Sequence, residues 1–124
     1  MRILLDANAL LWWREASSRL SPRARDYIGD GRNEISVSVA TLWEIAIKRS
    51  IGKLRFPDEL EQVMREEAFV LLPISLSHLR AIGDMPLHHR DPFDRLLIAQ
   101  ALTEGIPIAT ADRRFAAYGV QIVW

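Results

Sequence analysis

Four acidic side chains, Asp6, Glu44, Asp94 and Asp112, stand where carboxylates could share one site. Asp6 and Asp112 closely follow short apolar runs typical of strands, and Glu44 and Asp94 lie early in helical segments. In a parallel sheet these positions meet at one edge, where four carboxylates would repel one another unless a cation joined them. Oxygen ligands without cysteine favour Mg²⁺ or Mn²⁺. Such a centre suits phosphodiester hydrolysis by a metal-activated water.

The segment around Asp94 is the most informative part of the chain. Asp91 is suited to cap a helix, Pro92 is suited to its first position, and Asp94 then falls in the first turn. The residues that follow are apolar on nearly every side, which indicates a buried helix. A charge at the mouth of such a helix is unfavourable unless it is paired, capped or metal-bound. A structural alternative is that Asp91 and Asp94 form a capping box.

The other acids also have structural interpretations. Glu44 could form a capping box with Thr41, or an ion pair with Lys48 four residues along a helix. Asp112 could cap a short helix. Any of these would explain one isolated acid, but four acids at one edge favour a shared metal site.

The elements that would position these acids alternate between strands and helices. We predict strands at 3–5, 34–38, 69–72, 106–109 and 120–123. We predict helices at 7–14, 22–29, 39–50, 56–67, 75–83 and 92–104, with a short helix at 113–117. Because the strands are apolar throughout, the pattern indicates an α/β fold with a parallel sheet and helices on both faces.

Composition excludes several functional classes. The 124 residues, 49% of them hydrophobic, predict a single domain spanning 1–124. The balance of 16 basic and 16 acidic residues argues against a strongly cationic, non-specific nucleic-acid binder. The lack of cysteine removes disulfides and thiolate metal sites. No apolar run approaches the roughly 20 residues of a membrane span, and an acid at position 6 interrupts any signal peptide, so we expect a cytoplasmic protein without membrane contact.

Taken in order, four segments of the chain resemble PIN-domain ribonucleases, and more closely the VapC toxins of bacterial toxin–antitoxin pairs. The segments are LLDANALLW at 4–12, WEIA at 43–46, HRDPFDRLLIAQA at 89–101 and TAD at 110–112. The resemblance implies a three-layer α/β/α PIN-like fold around a central parallel five-stranded sheet. It also implies that the four acids form the catalytic, metal-binding cluster of a Mg²⁺- or Mn²⁺-dependent endoribonuclease. The implied partners are an RNA substrate, a small VapB-like antitoxin and a second copy of the chain in a homodimer.

The chain departs from this family at one position in the first motif. Ala7 stands where the family commonly has Thr or Ser after its first Asp, so one hydroxyl beside the metal ligands is missing. Asn8 follows, where relatives often show His or Asn. We expect Asn8 and Asp91 to support the metal ligands from behind, with Asp91 acting mainly as a helix cap.

Basic residues near the predicted edge are candidates for contact with RNA phosphates. We expect Arg90, Arg95 and Thr110 to bind the substrate, since arginine suits phosphate recognition. For Arg95 the alternative is a salt bridge that holds the acids, and for Thr110 it is a hydrogen bond to a carboxylate or an ordinary position at a strand end. The tandem Trp12 and Trp13 are expected to supply core and partner surface.

Two other functions fit part of the pattern. A receiver-like signalling domain also gathers acids and Mg²⁺ at strand ends, but it needs a lysine after its last strand, and here the chain reaches Trp124 without one. An inert PIN-like binding module is left open by Ala7 and opposed by the intact acids.

Overall fold

Five parallel strands form the centre of the protein in a computed structural model that describes residues 1–124. The strands are β1 (Arg2–Leu5), β2 (Glu34–Ser38), β3 (Val70–Leu72), β4 (Ile108–Ala109) and β5 (Ile122–Val123). They lie in the order β3-β2-β1-β4-β5. The predicted α/β fold with a central parallel five-stranded sheet is therefore confirmed. A receiver-like domain has the order 2-1-3-4-5, so the sheet contradicts that alternative.

The strand order reverses between β1 and β4. From β1 the chain adds β2 and β3 on one side, and β4 and β5 then fill the other side. In the β1–β4 register Leu5 lies opposite Ala109, so Asp6 and Thr110 leave the sheet side by side. Such a switch point opens a crevice beyond the carboxyl ends of the strands, where α/β proteins bind ligands.

Six α-helices and one 3-10 helix cover the two faces of the sheet. The α-helices are α1 (Ala7–Arg14), α2 (Pro22–Gly29), α3 (Val39–Ser50), α4 (Leu60–Glu66), α5 (Leu76–Asp84) and α6 (Pro92–Glu104), and the 3-10 helix is Arg113–Tyr118. Successive residues of a strand point to opposite faces. Ile3 and Leu5 accordingly join one buried cluster with α1 to α4, whereas Leu4 joins a second cluster with α6 and the 3-10 helix. Two cores on one sheet complete the three layers.

Helix α4 begins later than predicted. The expected start near residue 56 was wrong, because the chain stays irregular until Glu59, which occupies the cap position before α4. Phe56 is buried in the core, and the Arg49 guanidinium donates to the carbonyls of Phe56 and Asp58 at 3.2 and 2.8 Å. These contacts satisfy carbonyls that a helix would have used.

The tandem tryptophans, expected to supply core and partner surface, pack against the core. Both are partly buried against the α1–α4 core, and the Trp13 indole N–H donates to Glu67 at 2.8 Å. Exposed apolar side chains lie along β3, in the segment that follows it, and on α5, at Val70, Leu71, Ile74, Leu76 and Leu79. None of the helices combines the length and the apolar character that crossing a membrane requires.

Candidate active site

A cavity of about 530 Å³ opens at the carboxyl edge of the sheet, at the switch point between β1 and β4. All four predicted acids line it, each brought there by a different segment of the chain. Asp91 joins them as a fifth carboxylate, and three cationic side chains, Lys48, Lys53 and Arg114, share the same walls. The structure therefore brings the acids together, with fewer cations than carboxylates around them.

Asp6 is both a helix cap and a member of this cluster. It follows β1 directly, and its Oδ1 accepts the backbone N–H of Ala9 at 2.8 Å, which caps α1. The residue is only 8% exposed. Burial raises the pKa of the carboxyl group to about 6, and a hydrogen bond from Thr110 opposes this rise. The capping bond occupies one oxygen of the Asp6 carboxylate. Because a buried charge is unfavourable unless it is paired, a cation beside this carboxylate would stabilise its ionised form.

Asp94 faces the cavity because only half of the expected capping box forms. Asp91 Oδ1 accepts the N–H of Asp94 at 3.0 Å and caps α6. The reciprocal bond is absent, since the N–H of Asp91 donates to His89 Nδ1 at 3.2 Å. The Asp94 carboxylate is thereby released from a capping role. The capping interpretation holds for Asp91 and fails for Asp94.

Glu44 and Asp112 are paired with cations from their own segments. Lys48 donates to Glu44 Oε2 at 2.7 Å, so the predicted pair four residues apart on α3 is present. The Thr41 capping box is not formed, because α3 begins earlier and is capped by Ser38. Asp112 caps the 3-10 helix. The Arg114 guanidinium binds both of its carboxylate oxygens and holds the pKa of this carboxyl well below its usual range.

His89 is a central residue of the site that the sequence did not single out. It is buried, and its Nε2 lies 3.0 Å from Asp112 Oδ2 and 3.2 Å from Asp94 Oδ2. The chain offers adjacent histidines at 88 and 89 in a loop before α6, and no local pattern tells which one points inward. The only signal was proximity in sequence to the cap at Asp91.

The donor set fits a hard divalent cation. Carboxylate oxygens dominate the cavity, and the ligand atoms of His89, Asp94 and Asp112 lie within 4.8 Å of one another. Burial and the neighbouring charges of Asp91, Glu44 and Asp6 raise the pKa of Asp94 to about 7, although His89 opposes the rise. Carboxylates that resist ionisation because negative charges surround them are stabilised when a cation is added.

Thr110, expected to contact either the substrate or a carboxylate, is buried behind the acids. It is only 1% exposed, its Oγ1 accepts the N–H of Asp112 at 3.0 Å, and its hydroxyl bonds to Asp6. A side chain without accessible surface is not placed to touch RNA. Thr110 directly follows β4. Asn8, expected in a supporting role, is exposed at the wall of the cavity.

Thr110→Val is expected to lower both the stability of the protein and its affinity for metal. It keeps the shape of the side chain but leaves the N–H of Asp112 without its acceptor and Asp6 without its donor, lowering stability by about 1–3 kcal/mol. We expect metal affinity to fall at least about tenfold. Denaturant unfolding and Mn²⁺ titration check both, with Thr110→Ser as the hydroxyl-keeping control. A Val variant with normal stability and metal binding but weaker RNA binding would restore the substrate assignment.

Arg95 anchors the loop that carries His89. Its Nη1 donates to the carbonyl of Pro86 at 3.0 Å and to the Tyr118 hydroxyl at 3.2 Å, with a longer contact to the His89 carbonyl at 3.4 Å. A guanidinium used in this way is not free to bind phosphate, so these contacts favour a role for Arg95 in holding the loop. Arg90 is exposed and remains available for RNA.

Substitutions of Arg90 and Arg95 should therefore have different effects on stability and RNA binding. Arg95→Met is expected to lower stability by about 1–3 kcal/mol because several backbone carbonyls lose their donor. Arg90→Met should leave stability unchanged and weaken RNA binding, with the slope of log K against log salt reduced by about 0.7 for one lost contact with a single strand. Unfolding curves and salt-dependent RNA binding measure both. The reverse assignment of the two phenotypes would show that Arg95 is the phosphate contact.

Comparison with known proteins matches nearly the whole chain to one family. The family model described as PIN domain matches residues 3–121. Ribonuclease VapC22 of Mycobacterium tuberculosis is 26% identical over 123 residues, which cover 94% of this chain and 91% of that protein. FitAcB from Neisseria gonorrhoeae has a similar structure, with a TM-score of 0.69, 18% identity and coverage of 98% and 96% of the two chains. VapBC2 from Rickettsia felis, solved bound to a DNA fragment from its promoter, has a TM-score of 0.67, 14% identity and coverage of 98% and 97%.

Proposed function

The chain belongs to the PIN domain family, and on that premise we propose that it is a Mg²⁺- or Mn²⁺-dependent endoribonuclease, the cytoplasmic toxin of a toxin–antitoxin pair. The observation that carries this proposal is the gathering of Asp6, Glu44, Asp94 and Asp112 around one cavity at the switch point of the sheet. The name of the mycobacterial relative, a ribonuclease, supports the same activity.

The side chains of the cavity divide the work of phosphodiester hydrolysis. We propose that Asp6, Asp94 and Asp112, with Glu44 beside them, hold the cation. When bound, a divalent cation lowers the pKa of a coordinated water and offsets charge on the phosphate. Lys48 orients the Glu44 carboxylate through its 2.7 Å contact.

We propose that exposed cationic side chains at the rim of the cavity bind the substrate. Lys53 is exposed on the wall of the cavity, and Arg90 is exposed in the loop before α6. We propose that these two side chains contact backbone phosphates, whereas Arg114 stays bound to Asp112. Because phosphate contacts carry little base information, they position the RNA without selecting its sequence.

A metal-dependence assay on a panel of structured and single-stranded RNAs tests the activity. We expect internal cleavage with Mg²⁺ or Mn²⁺, none in EDTA, and recovery when metal is restored. Cleavage that persists in EDTA would contradict the metal-dependent mechanism. RNA binding without cleavage under all metal conditions would favour the inert alternative.

We also propose a small VapB-like antitoxin as partner and a homodimer as the working form. The structural neighbours named VapBC and FitAcB support this assignment. Co-expression with the product of an adjacent small reading frame should yield a stable complex that no longer cleaves RNA, and light scattering should give twice the chain mass for the toxin alone. A monomer that no neighbouring product inhibits would contradict both parts.

A further inference from the structure

We infer that His89 is a positioning residue that holds Asp94 and Asp112 together by donating its Nε2–H to them, and that it is not a metal ligand. The inference rests on the metal site of the proposed function and concerns how this chain assembles that site. It decides between two roles that the same short distances permit. Three potential ligand atoms within 4.8 Å could equally describe a histidine bound directly to the cation.

The hydrogen bond at the other ring nitrogen decides the tautomer. His89 Nδ1 accepts the backbone N–H of Asp91 at 3.2 Å, and an accepting nitrogen carries no hydrogen. The ring N–H is therefore on Nε2. That atom lies 3.0 Å from Asp112 Oδ2 and 3.2 Å from Asp94 Oδ2, so the hydrogen faces two acceptors. Ligation through Nε2 would need the hydrogen on Nδ1, directed at the N–H of Asp91.

The ring is held in this orientation by contacts outside the acidic cluster. Its plane meets the Phe115 ring nearly edge-on, with 5.6 Å between centroids, and only 3% of the residue is exposed. The backbone N–H of His89 donates to the Tyr118 hydroxyl at 2.8 Å. Because the ring is fixed independently of the acids, it can act as a template for them.

The two carboxylates that the ring joins come from separate elements. Asp94 is in the first turn of α6, and Asp112 follows β4. The carboxylate oxygens of the two residues lie within 4.8 Å of each other, and two like charges at this distance would move apart without a shared donor. A fixed N–H between them preassembles the oxygen ligands, as hydrogen-bonding partners of ligands do at metal sites.

Histidine tautomers can be measured directly by long-range ¹⁵N–¹H NMR of the imidazole rings. We expect the Nε2–H tautomer of His89 in the metal-free chain and again at saturating Mg²⁺, with His88→Gln used to assign the two neighbouring rings. On the Mn²⁺-loaded chain, electron spin-echo spectra should show no directly coordinated nitrogen. A switch to the Nδ1–H tautomer on adding Mg²⁺, or nitrogen coupling that disappears in His89→Gln, would overturn the inference.

Two substitutions at the same position provide a second test. His89→Ala should weaken Mn²⁺ binding about 10- to 100-fold, while His89→Gln should regain most of that loss because its amide N–H lies near the place of Nε2. Equal losses in both variants, or no loss in either, would contradict the positioning role. If the Ala variant fails to fold, the Gln variant and the wild-type spectra still decide. A wild-type chain that binds no Mn²⁺ would instead contradict the proposed function, with the tautomer measured separately in the metal-free state.

Discussion

Asp94→Asn is expected to reduce RNA cleavage on the order of 10³-fold or more, because a metal centre supplies several kcal/mol of transition-state stabilisation. The variant should remain folded. Asp94 makes no capping bond, and α6 keeps its cap from Asp91. Its carboxyl pKa of about 7 shows that the ionised group is unfavourable in the metal-free chain. We therefore expect the melting temperature in EDTA to be unchanged or higher.

The control for this prediction is Asp26→Asn, which removes one carboxylate from the exposed surface of α2 far along the chain from the cluster. It should cleave RNA at the wild-type rate. Single-turnover cleavage at saturating Mn²⁺, with thermal unfolding of the same samples, measures both properties. A stability loss of about 0.5–2 kcal/mol with full cleavage is what a capping role would give, and it would remove Asp94 from the catalytic cluster.

In the metal-free protein, the free energy of unfolding should fall as pH rises from 4 to 7. Asp6 and Asp94 have carboxyl pKa values of about 6 and 7 in the folded chain, above the ordinary aspartate value of 3.8. Between pH 4 and 7 the folded chain therefore holds protons that the unfolded chain has released, so rising pH favours unfolding. The loss should be on the order of 6 kcal/mol for the two groups together, which lowers Tm by about 20 °C.

Carboxyl groups whose pKa is lowered act in a different pH window. Asp30 has a pKa of about 2 because Arg32 binds it, so its contribution is lost only below pH 4. Thermal unfolding in EDTA across pH 4–7 measures the slope, and the Asp6→Asn, Asp94→Asn double variant should flatten it. Mn²⁺ at about 100 times its Kd should restore about 2.7 kcal/mol at pH 7. A wild-type Tm that rises with pH in EDTA, or a slope kept by the double variant, would contradict this account.

Local sequence patterns were sufficient to predict most of the fold. The helices at Ala7–Arg14 and Val39–Ser50 were predicted with their observed bounds, because Asp6 and Ser38 each end an apolar strand and can cap the helix that follows. The start of α4 was missed since it depends on Arg49, a side chain of α3, binding carbonyls of a distant segment. Contacts of that kind exist only after the chain has folded.

The same difference between local patterns and contacts made on folding decides which features of the site could be predicted. The four acids could be predicted to meet because each stands next to a strand end or a helix start, and parallel topology brings those positions to one edge. The roles of Thr110, Arg95 and His89 could not, since each depends on which atom faces which partner. For His89, the decisive contact is the backbone N–H of Asp91. This N–H donates to His89 Nδ1 and therefore not to the Asp94 carboxylate.

The central claim is that these acids form a single metal centre on which RNA cleavage depends. Its most direct test is to measure Mn²⁺ binding by calorimetry and RNA cleavage by single turnover on the same preparation, as functions of free Mn²⁺. The account predicts that both saturate together, and that a variant with Asn at positions 6, 94 and 112 loses both while staying folded. Cleavage that is independent of Mn²⁺, or a triple variant that binds Mn²⁺ as tightly as the wild type, would contradict it.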